Sequence, residues 1–307
     1  MTLNLTDEER LHYQVMQCCL NAIQKEKPLV LKGGTALMLG YGLQRFSEDL
    51  DFDIADTYTG KGTIKLDSVL KNALPYGVSL QELALRKDTP SVTRYILHYQ
   101  HQNINDSLKI EVSYRTPVKA ADIVHKNSNQ FLSIAKIADF KLNAVLDSHS
   151  DARTKARDLF DTAFIVKNYA NEVNPELLNK LKQVDINELL SRYEQSFVED
   201  KIMQRHGISA DEVVLSLVDN LNNIQTRIDE KLLKQLCQPD LTTRKAALQH
   251  PEISQALLER TAIHHKCPQT RKAAAAVLQQ RGIEIPASNK PNTTPSKTMN
   301  KDKGIEI

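Results

Sequence analysis

Apolar positions recur along this chain with two different periods, and the dominant period changes near residue 132. Thr6 and Glu9 have the spacing of a capping box, which predicts a helix over residues 7–26, ended by Pro28. A short apolar run follows at 29–31, then Gly33-Gly34, then a helix-like stretch at 36–39. Residues 48–54 alternate strictly. Residues 78–85, 91–100 and 107–114 are rich in β-formers, with turn residues between them. The expected core is a mixed sheet with flanking helices, an α+β arrangement. From about 132 the helical period predicts helices over 132–147, 151–168, 174–198 and 208–226, with Ser150 or Asp151 capping the second. The sequence Thr-Arg-Lys-Ala-Ala occurs at 243–247 and again at 270–274, a period of 27. Such recurrence predicts short paired helices, a HEAT-like or leucine-rich-variant-like repeat. Residues 286–307 have almost no apolar content before the last three and read as a disordered tail. The expected domains are therefore a core at 1–125, a helical domain at 126–228, helical repeats at 229–285 and the tail at 286–307.

The candidate chemistry sits where strand alternation meets charge. Side chains alternate across a strand, so Leu50, Phe52 and Ile54 face one way and Asp49, Asp51 and Asp53 the other. Same-face residues two apart lie roughly 7 Å from each other, so three carboxylates crowd one surface and repel. Asp is also a poor strand former. A divalent cation would relieve the repulsion, and Mg²⁺ is commonly held by one or two carboxylates plus substrate phosphates. A solvated strand face is the simpler reading of the strand alone. The preceding Gly33-Gly34 shifts the balance, because a glycine turn into a helix lets backbone N–H groups approach a phosphate closely.

The 307 residues carry 40 Lys plus Arg and 38 Asp plus Glu, a net of +2. This average argues against bulk capture of nucleic acid or anionic membrane by the whole chain. The distribution is uneven: residues 1–170 sum to +1, 171–230 to −6 and 231–307 to +7. Arg244, Lys245, Arg271 and Lys272 recur at the repeat period and form a candidate nucleic-acid ridge, with a solvated helix face as the alternative. Four cysteines without a CxxC pair suggest reduced thiols rather than a disulfide framework or structural zinc. No apolar run of about 18 residues occurs, and residues 1–10 lack the character of a secretory leader, so a cytoplasmic protein with no membrane partner is expected. No Gly-x-Ser-x-Gly elbow, Walker A loop or His-Glu-x-x-His motif competes.

Gly33-Gly34-Thr35-Ala36-Leu37 followed by Arg45-Phe46-Ser47-Glu48-Asp49-Leu50-Asp51-Phe52-Asp53 resembles the first motif of the AbiEii/AbiGii-type nucleotidyltransferase toxins, within the polymerase-β-like nucleotidyltransferase superfamily. Lys109-Ile110-Glu111-Val112-Ser113 resembles the second motif, and residues 136–161 resemble the third and fourth, a helical Lys and an Arg-Asp-x-x-Asp helix. The resemblance implies a polymerase-β-like mixed sheet with flanking helices, and a transfer of NMP from an NTP to an acceptor hydroxyl. It implies that Asp49 and Asp51 coordinate Mg²⁺, and that Glu111 either completes the metal set or helps to deprotonate the acceptor. Lys32, Gly33, Gly34 and Thr35 would serve the triphosphate, Lys141 would contact phosphate, and Asp158 would be the downstream acid. Asp53, Lys136 and Asp161 are alternatives within the same set. Arg45 and Ser47 either contact substrate or bridge loop and strand. The implied setting is a type IV toxin–antitoxin or phage-defence system, with a tRNA acceptor and a separately encoded winged-helix antitoxin. A protein or a small molecule such as an antibiotic is an alternative acceptor. A non-catalytic nucleotide- or RNA-binding module is the remaining alternative.

Overall fold

The capping box forms as its spacing predicts. The Glu9 amide donates to Thr6 Oγ1 at 3.2 Å, and the Thr6 amide donates to Glu9 Oε2 at 3.0 Å. It opens α1 (Asp7–Glu26), whose Val15, Met16, Cys19 and Ile23 are fully buried at helical spacing. The computed structural model describes residues 5–60, 62–147 and 154–284. The chain divides into two compact units, Met1–Asn222 and Asn223–Ile307.

In the first unit α1 is followed by β1 (Leu29–Lys32), α2 (Gly33–Tyr41), β2 (Asp49–Ala55), α3 (Asp67–Lys71), β3 (Ser79–Thr89), β4 (Val92–His101) and β5 (Ile104–Val118). Two short strands come next, β6 (Ile123–Lys126) and β7 (Asn129–Leu132). The seven strands form one mixed sheet in the order β3-β4-β5-β2-β1-β7-β6. Pairing is parallel at β2–β5 and β1–β7 and antiparallel elsewhere. Leu29, Val30 and Leu31 of β1 and Leu50 and Phe52 of β2 are wholly buried, so the functional strand lies in the middle of the sheet.

The β6–β7 hairpin is absent from the sequence reading. Each strand has four residues, and Asn127 and Ser128 turn the chain with positive φ. The expected domain boundary at 125/126 falls inside β6. Helices then follow: α4 (Ile134–Leu146), α5 (Ala156–Tyr169), α6 (Pro175–Lys182), α7 (Ile186–Glu199), α8 (Lys201–Arg205) and α9 (Ala210–Asn222). The helix expected at 151–168 begins at Ala156, and its expected caps Ser150 and Asp151 lie outside the described residues. The helix expected at 174–198 is two helices, because the Asp185 carboxylate captures the amides of Asn187 and Glu188 and opens α7.

The second unit contains α10 (Ile224–Leu236), α11 (Leu241–Leu248), α12 (Gln255–His264) and α13 (Pro268–Gln280). The helix expected at 208–226 is thus α9 and the start of α10, divided at Asn223. The repeated pentapeptide falls on α11 and α13. Arg244 Nη1 donates to the carbonyls of Gln238 and Pro239 at 2.6 and 2.8 Å. Arg271 Nη1 donates to the equivalent carbonyls of His265 and Lys266 at 2.7 and 3.3 Å. Both arginines therefore hold the turn before their own helix and are half-buried, while Lys245 and Lys272 are exposed. The expected tail at 286–307 lies outside the described residues. Among those described, the four cysteines are unpaired and no helix is long and apolar enough to cross a membrane.

Candidate active site

Strand register assembles the site. β1 sets Lys32 beside Asp51, β5 sets Glu111 on its other side, and β4 sets Arg94 beside Glu111. A row Lys32–Asp51–Glu111–Arg94 thus crosses four neighbouring strands. One step along β2, Asp49 lies beside Lys109 of β5, and their carboxylate and ammonium form an ion pair. Arg94 holds Glu111 through Nε at 2.8 Å and Nη2 at 2.6 Å. Asp53 is buried, and Lys32 Nζ lies 2.5 Å from its Oδ1. Among the described residues, Asp51 has no ion pair or side-chain hydrogen bond. Burial pushes its carboxyl above the usual range, with Asp49 and Glu111 adding to the rise and Lys109 and Lys32 opposing it.

Gly33 opens α2 at the end of β1 with φ +73°, a left-handed conformation that favours glycine. A Cβ on Gly34 would stand 2.5 Å from Arg45 Nη2 and 3.1 Å from Ser47 Oγ. Arg45 cannot yield easily: it is 2% exposed and forks onto Asp161, with Nε and Nη2 each 2.7 Å from a carboxylate oxygen. Thr35 is buried, its hydroxyl bonded to the Asp49 carbonyl at 2.5 Å and to Ser47 Oγ at 2.9 Å. These bonds fasten the first turn of α2 to the start of the carboxylate strand. Gly34→Ala is therefore expected to lower thermal stability by about 1–3 kcal/mol through overpacking and to weaken NTP binding with it. A melt and a nucleotide titration check this, and an unchanged pair of values would mean that Arg45 has room to move.

Helices α4 and α5 close the other wall. Lys141 Nζ lies 2.6 Å from Asp158 Oδ1 and 2.7 Å from Asp161 Oδ2. Asp161 is fully buried. Burial works to raise its carboxyl, but the Arg45 and Lys141 charges outweigh this and hold it below the usual range. Asp158 faces the cleft and Asp161 lies beneath it, so the two alternatives for the downstream acid occupy different places. Lys136 lies about half exposed on α4, near Asp139 rather than in the cleft. Arg157 does not pair with Asp161. It reaches Asp200 at 2.8 Å and Glu48 at 3.2 Å.

These groups surround one cleft of about 750 Å³. Lys32, Gly33, Gly34, Arg45, Ser47, Asp49, Asp51, Glu111, Lys141 and Asp158 all line it, whereas Thr35 and Asp161 lie behind its wall. Lys109, Arg94 and Arg157 line it too and were given no role by the sequence. Lys109 was within reach of strand alternation, since it is two residues before Glu111 and shares its face. Arg94 needed the β4–β5 register. The chemistry of the donors suits a hard divalent cation: Asp51 is a carboxylate without an ion pair among the described residues, whose charge burial and two neighbouring acids disfavour. Among the described residues, however, no three acidic or imidazole groups converge as a ready metal cage. Lys109 and Arg94 balance the charges of Asp49 and Glu111, the two carboxylates that flank Asp51.

A carboxylate row on a central strand, beside a glycine turn into a helix and faced by helical lysine and aspartate, is the arrangement that the resemblance to the nucleotidyltransferases implies. The model of the family described as "Nucleotidyl transferase AbiEii toxin, Type IV TA system" matches residues 14–250. The chain belongs to this family. It is similar to the crystal structure of a "putative nucleotidyltransferase from H. pylori", with 33% identity and a TM-score of 0.64 over 74% of this chain and 98% of that one. It is likewise similar to JHP933 from Helicobacter pylori, with 33% identity and a TM-score of 0.65 over 75% of this chain and 97% of that one. No curated protein matches.

Proposed function

We propose that the chain transfers a nucleoside monophosphate from an NTP to an acceptor hydroxyl and releases pyrophosphate. The observation that carries this reading is Asp51, without an ion pair among the described residues, two residues from Asp49 on one strand and beside Glu111 on the next, in a cleft that also exposes Gly33 and Gly34. Asp49 and Asp51 would hold Mg²⁺, which when bound supplies the positive charge that phosphoryl chemistry needs. Gly33 and Gly34 present backbone N–H groups at the α2 start, and Lys32 adds a positive charge beside them. Lys141, held by Asp158 and Asp161, places its ammonium for a phosphate oxygen. Ser47 lines the same wall. Arg45 acts from beneath, holding the loop before β2 in place. Glu111, beside Asp51 across the β2–β5 register, would either complete that metal set or accept a proton from the acceptor hydroxyl.

An RNA acceptor, tRNA in particular, is favoured by the net charge of +7 over residues 231–307 and by the exposed Lys245 and Lys272 on the repeated helices. In this reading residues 229–285 are a short HEAT-like repeat that serves the acceptor, and Arg244 and Arg271 shape it by holding its turns. The protein acts in the cytoplasm against its own cell, and a separately encoded winged-helix antitoxin counters it. The family's description as a type IV toxin–antitoxin system supports that partnership. The acceptor is found by incubating the protein with each α-labelled NTP, Mg²⁺, total tRNA and a cell lysate. Label in tRNA is the expected result. Label in a polypeptide or a small molecule would move the acceptor, and no label in any fraction would contradict transfer.

A further inference from the structure

The polar cleft has an apolar annex. A second cavity of about 270 Å³ shares Lys32, Gly33, Asp51, Lys141 and Asp158 with the cleft, but its remaining wall is Ile137, Phe140 and Ala144 of α4. These three occur three and four residues apart, so they stand on one helix face. Ile137 is buried, whereas Phe140 is 61% exposed. A single exposed phenyl ring is ordinary on a protein surface, so its exposure matters here only through the cavity it lines. Several large apolar side chains are exposed among the described residues, and Phe140 is the one that shares a cavity with Asp51.

The two ends of an NTP differ as the two cavities do. The triphosphate is anionic and suits Gly33, Gly34 and Lys141. The base is a flat heteroaromatic ring with polar edges and two π-faces, and aromatic side chains bind such faces by stacking whichever base it is. Asp51 lies on the border of both cavities, where the α-phosphate of a nucleotide bound across them would lie. We infer that Phe140 is the stacking platform for the base of the incoming NTP, with Ile137 and Ala144 as the floor of that subsite. The inference rests on the NTP-transfer reading and adds where the nucleoside end sits. The neighbouring Lys141 then reaches the phosphates from the same helical turn.

The test uses the full chain, with Mg²⁺, and two probes: an NTP and inorganic tripolyphosphate, which lacks base and sugar. Phe140→Ala should weaken NTP binding between about fivefold and 150-fold, the range of one base–aromatic stack. It should leave tripolyphosphate binding unchanged. Phe140→Trp should restore NTP affinity. The natural chain has no Trp, so the introduced indole reports the site alone, and its fluorescence should be quenched by NTP and not by tripolyphosphate. Equal NTP affinity in wild type and Phe140→Ala would overturn the stacking role while leaving NTP transfer standing. Equal weakening of both probes would overturn it as well, since it would reveal a general disturbance. An effect confined to the acceptor's KM would assign the ring to the acceptor instead. If the wild-type chain binds neither probe, the transfer reading fails along with it.

Discussion

Asp161→Asn is expected to destabilise the first unit by about 3–5 kcal/mol, the usual loss when one partner of a buried ion pair is removed. Asp161 is fully buried, and it is the acceptor for both arms of the Arg45 fork. Asn presents one oxygen where the fork needs two, and it leaves a guanidinium that is 2% exposed without its countercharge. Lys141 keeps Asp158 and is affected less. The pH dependence has a definite sign. The native Asp161 carboxyl is held below its ordinary 3.8, so its contribution is fully present above that value and is lost as pH falls through the depressed native one. The deficit of the variant should therefore be constant from about pH 5 to 8 and should narrow below about pH 4. Melts of the two proteins across that range check it. A deficit that appeared only above pH 7 would contradict the assignment. Because Arg45 also packs against Gly34, the same variant should bind NTP more weakly even where it remains folded.

Asp51→Asn separates function from stability in the opposite way. Transfer activity should fall by roughly 10³-fold, since loss of several kcal/mol of charge stabilisation at a phosphoryl-transfer centre has that size at 1.36 kcal/mol per tenfold. Stability should not fall. Burial and the flanking Asp49 and Glu111 raise the native carboxyl of Asp51, so its ionised form opposes folding at neutral pH. A neutral Asn removes that opposition, and the variant should melt at the same temperature as wild type or slightly above it. A residue whose native charge costs stability and supports catalysis is the ordinary form of a stability–activity trade-off. Parallel activity assays and melts decide the point: a variant that loses activity only because it unfolds would refute this role for Asp51.

What could be read from the sequence follows the range of the interactions concerned. The Thr6–Glu9 box, the β2 alternation and the Gly33-Gly34 turn are local, and each is present in the structure at the expected place. The β2–β5 register is not local. It alone puts Lys109 on Asp49 and Glu111 beside Asp51, and no pattern in either strand specifies which residues align. The Arg45–Asp161 fork spans 116 residues of chain, so both were visible as motif members without their pairing being visible. The β6 and β7 strands were too short for a period to show. The repeat at 243–247 and 270–274 was visible as a repeat, but the work of its arginines was not. A guanidinium looks the same in sequence whether it faces solvent or holds two carbonyls, as Arg244 and Arg271 do.

The central claim is that the Asp49–Asp51–Glu111 cleft moves the α-phosphate of an NTP with its nucleoside. Two labels test it in one experiment, with NTP labelled at the α-phosphate in one reaction and at the γ-phosphate in the other. Both reactions contain Mg²⁺ and the same acceptor mixture. The α-label is expected to enter the acceptor while the γ-label leaves as pyrophosphate in equal amount, and Asp51→Asn is expected to stop both. Entry of the γ-label into the acceptor, with the α-label remaining in NDP, would be phosphotransfer and would contradict it.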